Sequence, residues 1–249
     1  SEDGTIKNAI RLYDGRVVES VLIPVADRTT ACVSSQVGCS LDCAFCATAR
    51  LDRMRNLQPD EIFDQVVAID QQSKAYFDRP FSNIVFMGMG EPLMNYNNVL
   101  KAIEKITDAS GLGMSPKRIT LSTSGLPKLI RKMADDQVQF HLAVSLHSAL
   151  QSTRESIMPF AQKFPLTDLL AALQHWYVQT KRQVTFEYVV WKGINDDQQH
   201  IKALVDFCLR VPSKVNLIEY NAIGDDAFVQ AAPEAIEAYL SALKKARIT

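Results

Sequence analysis

Six apolar, β-branched runs, at 31–34, 84–87, 118–121, 140–144, 184–190 and 215–218, are each followed by a stretch whose apolar residues recur at helical spacing. Such a repeat predicts parallel strands joined by right-handed crossovers. Six units make an α/β chain, and a partial, TIM-like (β/α)6 barrel is the expected architecture, with an open doubly wound sheet as the other arrangement of the same elements. Helix starts are marked by Pro59 with Asp60 and Glu61, by Asn95 to Asn98, by Pro127, by Thr167, by Asn195 with Asp196 and Asp197, and by Pro233 with Glu234. Leu169, Leu170, Leu173 and Trp176, like Ile236, Tyr239, Leu240 and Leu243, form apolar helix faces that read as core. Ahead of the repeat, 5–12 and 17–24 alternate around Asp14-Gly15, a strong hairpin signal. The expected organisation is therefore a hairpin extension over 1–30 and a barrel over 31–249. Chemistry in a barrel collects on loops leaving the carboxyl ends of the strands. That rule selects a cysteine loop after the first strand, Gly88 to Pro92 after the second, Ser122 to Ser124 after the third, Ser145 to His147 after the fourth, and Asn221 after the sixth.

The cysteine loop is Cys39-Ser-Leu-Asp-Cys43-Ala-Phe-Cys46. Three thiols this close converge on one object, an oxidant, a metal or a metal cluster. Iron–sulfur clusters are held by cysteine thiolates, usually four, so a loop of three implies a cluster with one iron left for an exchangeable ligand. Phe45 is expected to shield it from water. The competing reading is a zinc loop in which Cys32 completes a four-sulfur site with Cys39, Cys43 and Cys46. Zinc sites usually come as paired two-cysteine knuckles, and this run does not divide into knuckles. Structural disulfides fit poorly, because the 5 cysteines among 249 residues are an odd number and the chain shows no secretory signal.

Composition is ordinary for a globular chain, at 47% hydrophobic and 22% charged. No apolar run approaches the ~20 residues needed to cross a bilayer, and a cytoplasmic location is expected. Lys and Arg number 27 against 28 Asp and Glu, so there is no global basic footprint for nucleic acid. Locally, Arg50, Arg53 and Arg55 follow the cysteine loop, and Lys128, Arg131 and Lys132 share a predicted helix. The arginines beside the loop are the better candidates for phosphate contacts.

The spacing Cys-x3-Cys-x-aromatic-Cys resembles the signature of the radical S-adenosylmethionine (SAM) superfamily. Together with Cys32-Val-Ser-Ser-Gln-Val-Gly-Cys39, Arg55-Asn-Leu57, Met87-Gly-Met-Gly-Glu-Pro92, Leu121-Ser-Thr-Ser-Gly125, Ser145-Leu-His147 and Asn216-Leu-Ile218, it makes the chain similar to the RlmN/Cfr family of RNA adenine methyltransferases. The RlmN branch is the closer match. The resemblance implies methylation of carbon 2 of an adenine in 23S rRNA and in tRNA, with the Cfr-type reaction at carbon 8 as the alternative. From a different class, a zinc-stabilised RNA-binding module without catalysis is the other reading of the same cysteines.

The resemblance also implies the parts. Cys39, Cys43 and Cys46 would hold a 4Fe-4S cluster, and Gly90, Glu91, Ser122, Ser145, Leu146, His147 and Asn221 would hold SAM. Glu19 matches a proton acceptor. Cys32 matches the thiol that resolves a protein–RNA adduct through a disulfide, although burial statistics alone favour a plain buried thiol. In the family one SAM methylates a carrier cysteine and a second yields the deoxyadenosyl radical that activates the methyl group. The family's Ala-Cys-Gly carrier segment and N-terminal accessory domain match nothing in these residues, so the chain is expected to be the catalytic part of a longer protein. It is then expected to form 5′-deoxyadenosine slowly without methylating RNA. Tyr-Asn221-Ala-Ile stands where many relatives carry Trp-Asn-Pro-Phe. An electron donor such as flavodoxin, no membrane and a monomeric state complete the expectation. His141, His175, His200 and Cys208 are expected to be structural.

Overall fold

A computed structural model describes residues 3–51, 54–222, 224 and 227–249, and it divides into two compact units. The first comprises 1–40, 48–122 and 139–141. It opens with β1 (Ile6–Arg11) and β2 (Val17–Val25), an antiparallel hairpin closed by Asp14 and Gly15, where Leu12 N–H donates to Arg16 O at 2.7 Å. β3 (Arg28–Cys32) pairs antiparallel with β2 and parallel with β6 (Asn83–Phe86), and β6 pairs parallel with β7 (Ile119–Thr123). A short ribbon joins β4 (Gln36–Val37) to β5 (Arg55–Asn56).

Helix α1 (Pro59–Phe77) starts where the sequence marks it, because Pro59 presets the backbone and Glu61 accepts from Gln58 N–H at 2.8 Å. It stops at Asp78, which takes the left-handed conformation. α2 (Tyr96–Thr107) follows a three-ten turn over Pro92–Asn95. Val18, Leu22, Ala31, Ile62, Val66, Ile69, Ile84, Phe86 and Val99 are fully or almost fully buried and form this unit's core.

The second unit comprises 41–47, 123–138 and 142–249. β8 (His141–Ser145), β9 (Val184–Val189) and β10 (Ser213–Ile218) run parallel, with Ser145, Glu187 and Asn216 in register across them. The helices are α3 (Pro127–Asp135), α4 (Gln151–Ile157), α5 (Leu166–Thr180), α6 (Gln198–Cys208) and α7 (Pro233–Lys245). Asp197 caps α6 by accepting from His200 N–H at 2.9 Å. Leu169, Leu173, Trp176, Phe186, Tyr188 and Tyr239 are buried, and the Tyr188 and Tyr239 hydroxyls meet at 3.2 Å. The expected strands and marked helix starts all appear, shifted by a few residues at their ends; α4 has no counterpart among the marked starts. Among the described residues no helix is long and apolar enough to cross a membrane.

Candidate active site

In the first unit Cys32 ends β3 with its side chain buried. Burial pushes its thiol up to about 11, with a main-chain bond from Met87 opposing. Beyond it, Ser34 N–H donates to Gln65 Oε1 at 2.9 Å while Gln65 Nε2 donates to Ser34 O at 3.1 Å, so α1 fixes the chain leading toward the cysteines. Glu19 lies on β2 with its carboxylate half-exposed and paired to Lys7 at 2.7 Å, and its main-chain carbonyl accepts from Ser34 Oγ at 2.5 Å.

The Gly88 to Pro92 segment is tightly packed. Gly90 has φ +94°, and a Cβ there would sit 2.4 Å from Cβ of Gln36. Gln36 Oε1 also accepts from Glu91 N–H at 2.8 Å, and Met89 N–H donates to Ser34 Oγ at 2.8 Å. The Glu91 carboxylate is buried and accepts from Leu93 N–H at 3.0 Å, starting the turn before α2. The glycines serve the close approach of the chain's own backbone. Ser122, near the end of β7, is buried.

Arg55, a sequence candidate for phosphate contacts, is already engaged. It donates to Asp14 and to Glu61 at 2.7 Å each and lies over the Tyr13 ring at 5.2 Å. Two carboxylates hold Arg55 protonated, and its guanidinium in turn holds Asp14 well below the usual carboxylate range, so Arg55 ties the hairpin turn to the start of α1. Arg53 lies outside the described residues.

The second unit carries the rest of the cysteine loop. Ala44 N–H donates to Ile157 O at 2.9 Å, and Cys46 N–H donates to Cys43 O at 3.0 Å. Phe45 packs into an aromatic cluster, 4.8 Å from the His147 ring, 5.0 Å from Trp191 and 6.2 Å from Phe228. Its side chain thereby anchors the loop onto the unit's core, with Ile157, Met158, Ala161 and Val189 completing the cluster.

His147 is buried and sits at φ +53°, an uncommon conformation for a non-glycine residue. Its Nδ1 accepts from Val189 N–H at 3.2 Å, so the ring is neutral with its proton on Nε2. Burial, reinforced by the positive charge of Arg154, lowers its pKa to about 3. Ser145 is half-buried and Leu146 fully buried, with Leu146 N–H donating to Glu187 O at 3.0 Å. Asn221 is exposed. Cys208 is buried at the end of α6, with its thiol pushed up to about 11. His200 bonds Asp197 at 2.9 Å and Thr153 at 3.0 Å, and His175 meets Asp135 at 2.6 Å.

Three groups escaped the sequence reading. Asn195, expected at a helix start, is buried; its side chain accepts from Trp191 N–H at 2.7 Å and donates to His147 O at 2.7 Å and Val189 O at 2.9 Å. Glu187, buried on β9 and held above the usual carboxylate range by burial, accepts from Asn216 Nδ2 at 2.8 Å. Arg154, buried on α4, has its guanidinium against main-chain carbonyls. A buried polar group carries no periodic signature, and only the adjacency of Asn195 to an apolar run pointed inward.

The donor set fits an iron–sulfur cluster. Cys39, Cys43 and Cys46 are part-exposed thiols within one short stretch of sequence, and none of the five cysteines is in a disulfide. Among the described residues no three His, Cys, Asp or Glu side chains are placed to share a single ion.

Comparison with known proteins agrees. Residues 33–207 match the Radical SAM superfamily. RlmN proteins of Flavobacterium psychrophilum and Christiangramia forsetii are 69% and 66% identical, covering 98% and 100% of this chain and 70% and 71% of their own lengths. The dual-specificity RNA methyltransferase RlmN of Oleidesulfovibrio alaskensis is 43% identical over 94% of this chain and 66% of its own length. The crystal structure of a radical SAM methyltransferase from Sphaerobacter thermophilus matches with TM-score 0.96 and 38% identity, covering 100% of this chain and 73% of that one. HydG, at TM-score 0.66 and 13% identity, shares the fold alone. The fold is therefore the expected α/β, TIM-like partial barrel, and the chain belongs to the RlmN family of radical SAM enzymes, as a SAM-dependent RNA methyltransferase.

Proposed function

We propose that the chain serves in the methylation of carbon 2 of an adenine in 23S rRNA and in tRNA, through a deoxyadenosyl radical and a methyl-cysteine whose carrier thiol is not matched among these residues. The observation that carries this reading is the near-complete match to RlmN proteins at up to 69% identity, joined to a loop of three cysteines, none in a disulfide, whose spacing suits a 4Fe-4S cluster. When bound, the cluster and SAM would supply one-electron cleavage of a sulfonium. Cys39, Cys43 and Cys46 would be the iron ligands. Phe45 keeps the loop seated on an aromatic, water-excluding floor.

SAM is assigned to Gly90, Glu91, Ser122, Ser145, Leu146, His147 and Asn221. What supports this on the chain itself is rigidity: Gln36 clamps Gly90 and Glu91, and Asn195 with Val189 clamps His147. His147, neutral with its Nδ1 occupied, has Nε2–H as its remaining donor. Glu19, half-exposed beside Lys7, is assigned as a proton acceptor. Cys32 is assigned as the resolving thiol, held protonated by burial until a base reaches it. We also assign 1–30 as an extension to the barrel of 31–249, since β1 and β2 pair antiparallel ahead of the parallel strands. An electron donor such as flavodoxin is part of the same reading.

The test is mass analysis of nucleosides in 23S rRNA and tRNA from cells that carry or lack the gene encoding this chain, beside anaerobic reconstitution of the chain itself, which on the carrier expectation forms 5′-deoxyadenosine without methylating RNA. 2-Methyladenosine is the product expected in cells that carry the gene. 8-Methyladenosine would replace the carbon 2 assignment with a Cfr-type reaction, and a colourless protein holding one zinc would remove the radical reading.

A further inference from the structure

Arg154 is 1% exposed, yet it meets no carboxylate among the described residues. Its Nη1 donates to Ser145 O at 3.0 Å and Leu146 O at 2.6 Å and contacts Met158 Sδ at 3.2 Å; its Nη2 donates to Ser124 O at 2.6 Å. Its Nε has no hydrogen-bond partner. The guanidinium lies over the Phe160 ring at 5.8 Å, and a Cβ on Gly125 would come within 3.2 Å of Nη2, so the pocket is shaped around it. A buried cation without an anion is among the least favourable groups a fold can hold.

The surroundings show what it is for. Arg154 sits on α4, whose last residue, Ile157, accepts the main-chain bond from Ala44 in the cysteine loop. Cys43 packs against the apolar cluster of Ile157, Met158 and Ala161, and Met158 is itself an Arg154 contact. Burial draws the Arg154 pKa down to about 10, with Cys43 pulling it back up, so the cation persists at neutral pH.

We propose that Arg154 is the buried counter-charge of the cluster ligated at Cys43, a positioning residue that holds the carbonyls of Ser124, Ser145 and Leu146 while its fixed positive charge favours the reduced, more negative cluster. This rests on the cluster reading given above. The step concerned is uptake of one electron by the cluster from a one-electron reductant, with no bond made or broken in the protein. Arginine supplies both functions at once, since five donors in a planar fork span several carbonyls and the charge is kept at neutral pH.

The experiment compares wild type with Arg154→Lys, Arg154→Met and Arg154→Gln after anaerobic reconstitution. Iron and sulfide per chain are measured first, and the midpoint potential is then read by dithionite titration followed by electron paramagnetic resonance. Expected is a drop of at least tenfold in the reduction equilibrium for Arg154→Met and Arg154→Gln, about 59 mV for a one-electron couple, with Arg154→Lys remaining within threefold of wild type. A purely structural role would disturb all three alike. Cluster retained by Arg154→Lys but lost from both neutral variants also supports the proposal. Equal potentials, or equal loss of cluster in all three variants, overturns it. A wild type that binds no iron overturns the cluster reading and this proposal with it, whereas a wild-type cluster with unshifted variants removes only the role of Arg154.

Discussion

Asn195 Nδ2 donates to the main-chain carbonyl of His147 at 2.7 Å, which binds a helix-approach loop to a residue held at positive φ. Asn195 is fully buried, and its amide also serves Val189 O and Trp191 N–H. Truncation therefore strands three buried main-chain groups. At roughly 1–3 kcal/mol for a buried group left unsatisfied, Asn195→Ala is expected to destabilise by several kcal/mol. Asn195→Asp should be worse at neutral pH, because a carboxylate would face two carbonyl oxygens, and should recover partly in acid as it protonates. Urea unfolding at pH 5 and pH 7.5 checks this; an Asp variant as stable as wild type at both would show that the amide is not the clamp.

His147 gives a pH dependence of fixed sign. Its folded value of about 3 lies below the ordinary 6.5, so between those values the unfolded chain binds the extra proton. Its stabilising contribution is fully present above 6.5 and is lost as pH falls toward 3, at about 1.4 kcal/mol per pH unit within the window. Asn tolerates left-handed φ better than most residues, so His147→Asn keeps the backbone while removing the titration. Urea midpoints from pH 4.5 to 7 should flatten in the variant by about one proton. Parallel slopes in the two proteins would mean that His147 titrates in the folded state as it does in water.

The turn around Gly90 offers a contrast between strain and collision. Gly90 and Gly113 both have positive φ, but a Cβ at Gly90 lands on Gln36 while one at Gly113 meets nothing within 4 Å. Gly113→Ala should cost only the left-handed penalty of roughly 1–2 kcal/mol. Gly90→Ala should cost distinctly more and should displace Gln36 from Glu91, and with it weaken SAM binding. Equal losses in thermal unfolding would show that Gln36 yields freely.

Much of this was legible in the residues because strands and long helices advertise themselves. The β-branched runs ending near Cys32, Phe86, Leu121, Ser145, Val189 and Ile218 became strands, and Pro59, Pro127 and Pro233 became first helical residues. α4 escaped because Gln-Ser-Thr-Arg-Glu-Ser-Ile has no apolar period: its buried residues are Arg154 and Ile157. The pairing of Arg55 was not legible because its partners lie away from the run of arginines in which it stands; Asp14 is 41 residues away in sequence. Asn195 looked like a cap beside Asp196 and Asp197, and only Asp197 caps α6. Propensity gives the elements, while the direction of a buried polar side chain is decided by which orphaned carbonyl or amide it meets after folding.

The five thiols should separate into two classes. Cys39, Cys43 and Cys46 are part-exposed, whereas Cys32 and Cys208 are buried and held up to about 11 by desolvation. The thiolate is the nucleophile, and burial in apolar surroundings makes a cysteine inert. In reduced, metal-free protein at pH 7.5, iodoacetamide is therefore expected to label the three loop cysteines at least tenfold faster than Cys32 and Cys208, with all five labelled after unfolding in urea. Peptide mass spectrometry gives the individual rates, and Cys208 is the internal standard for a thiol with only a structural role. The comparison bears on the resolving role assigned to Cys32. A thiol kept protonated on β3 would resist methylation and oxidation until something deprotonates it, which suits a group used only after the RNA adduct has formed. Labelling of Cys32 at the rate of the loop cysteines would show a thiolate already available in the free protein, and the protection argument would fail.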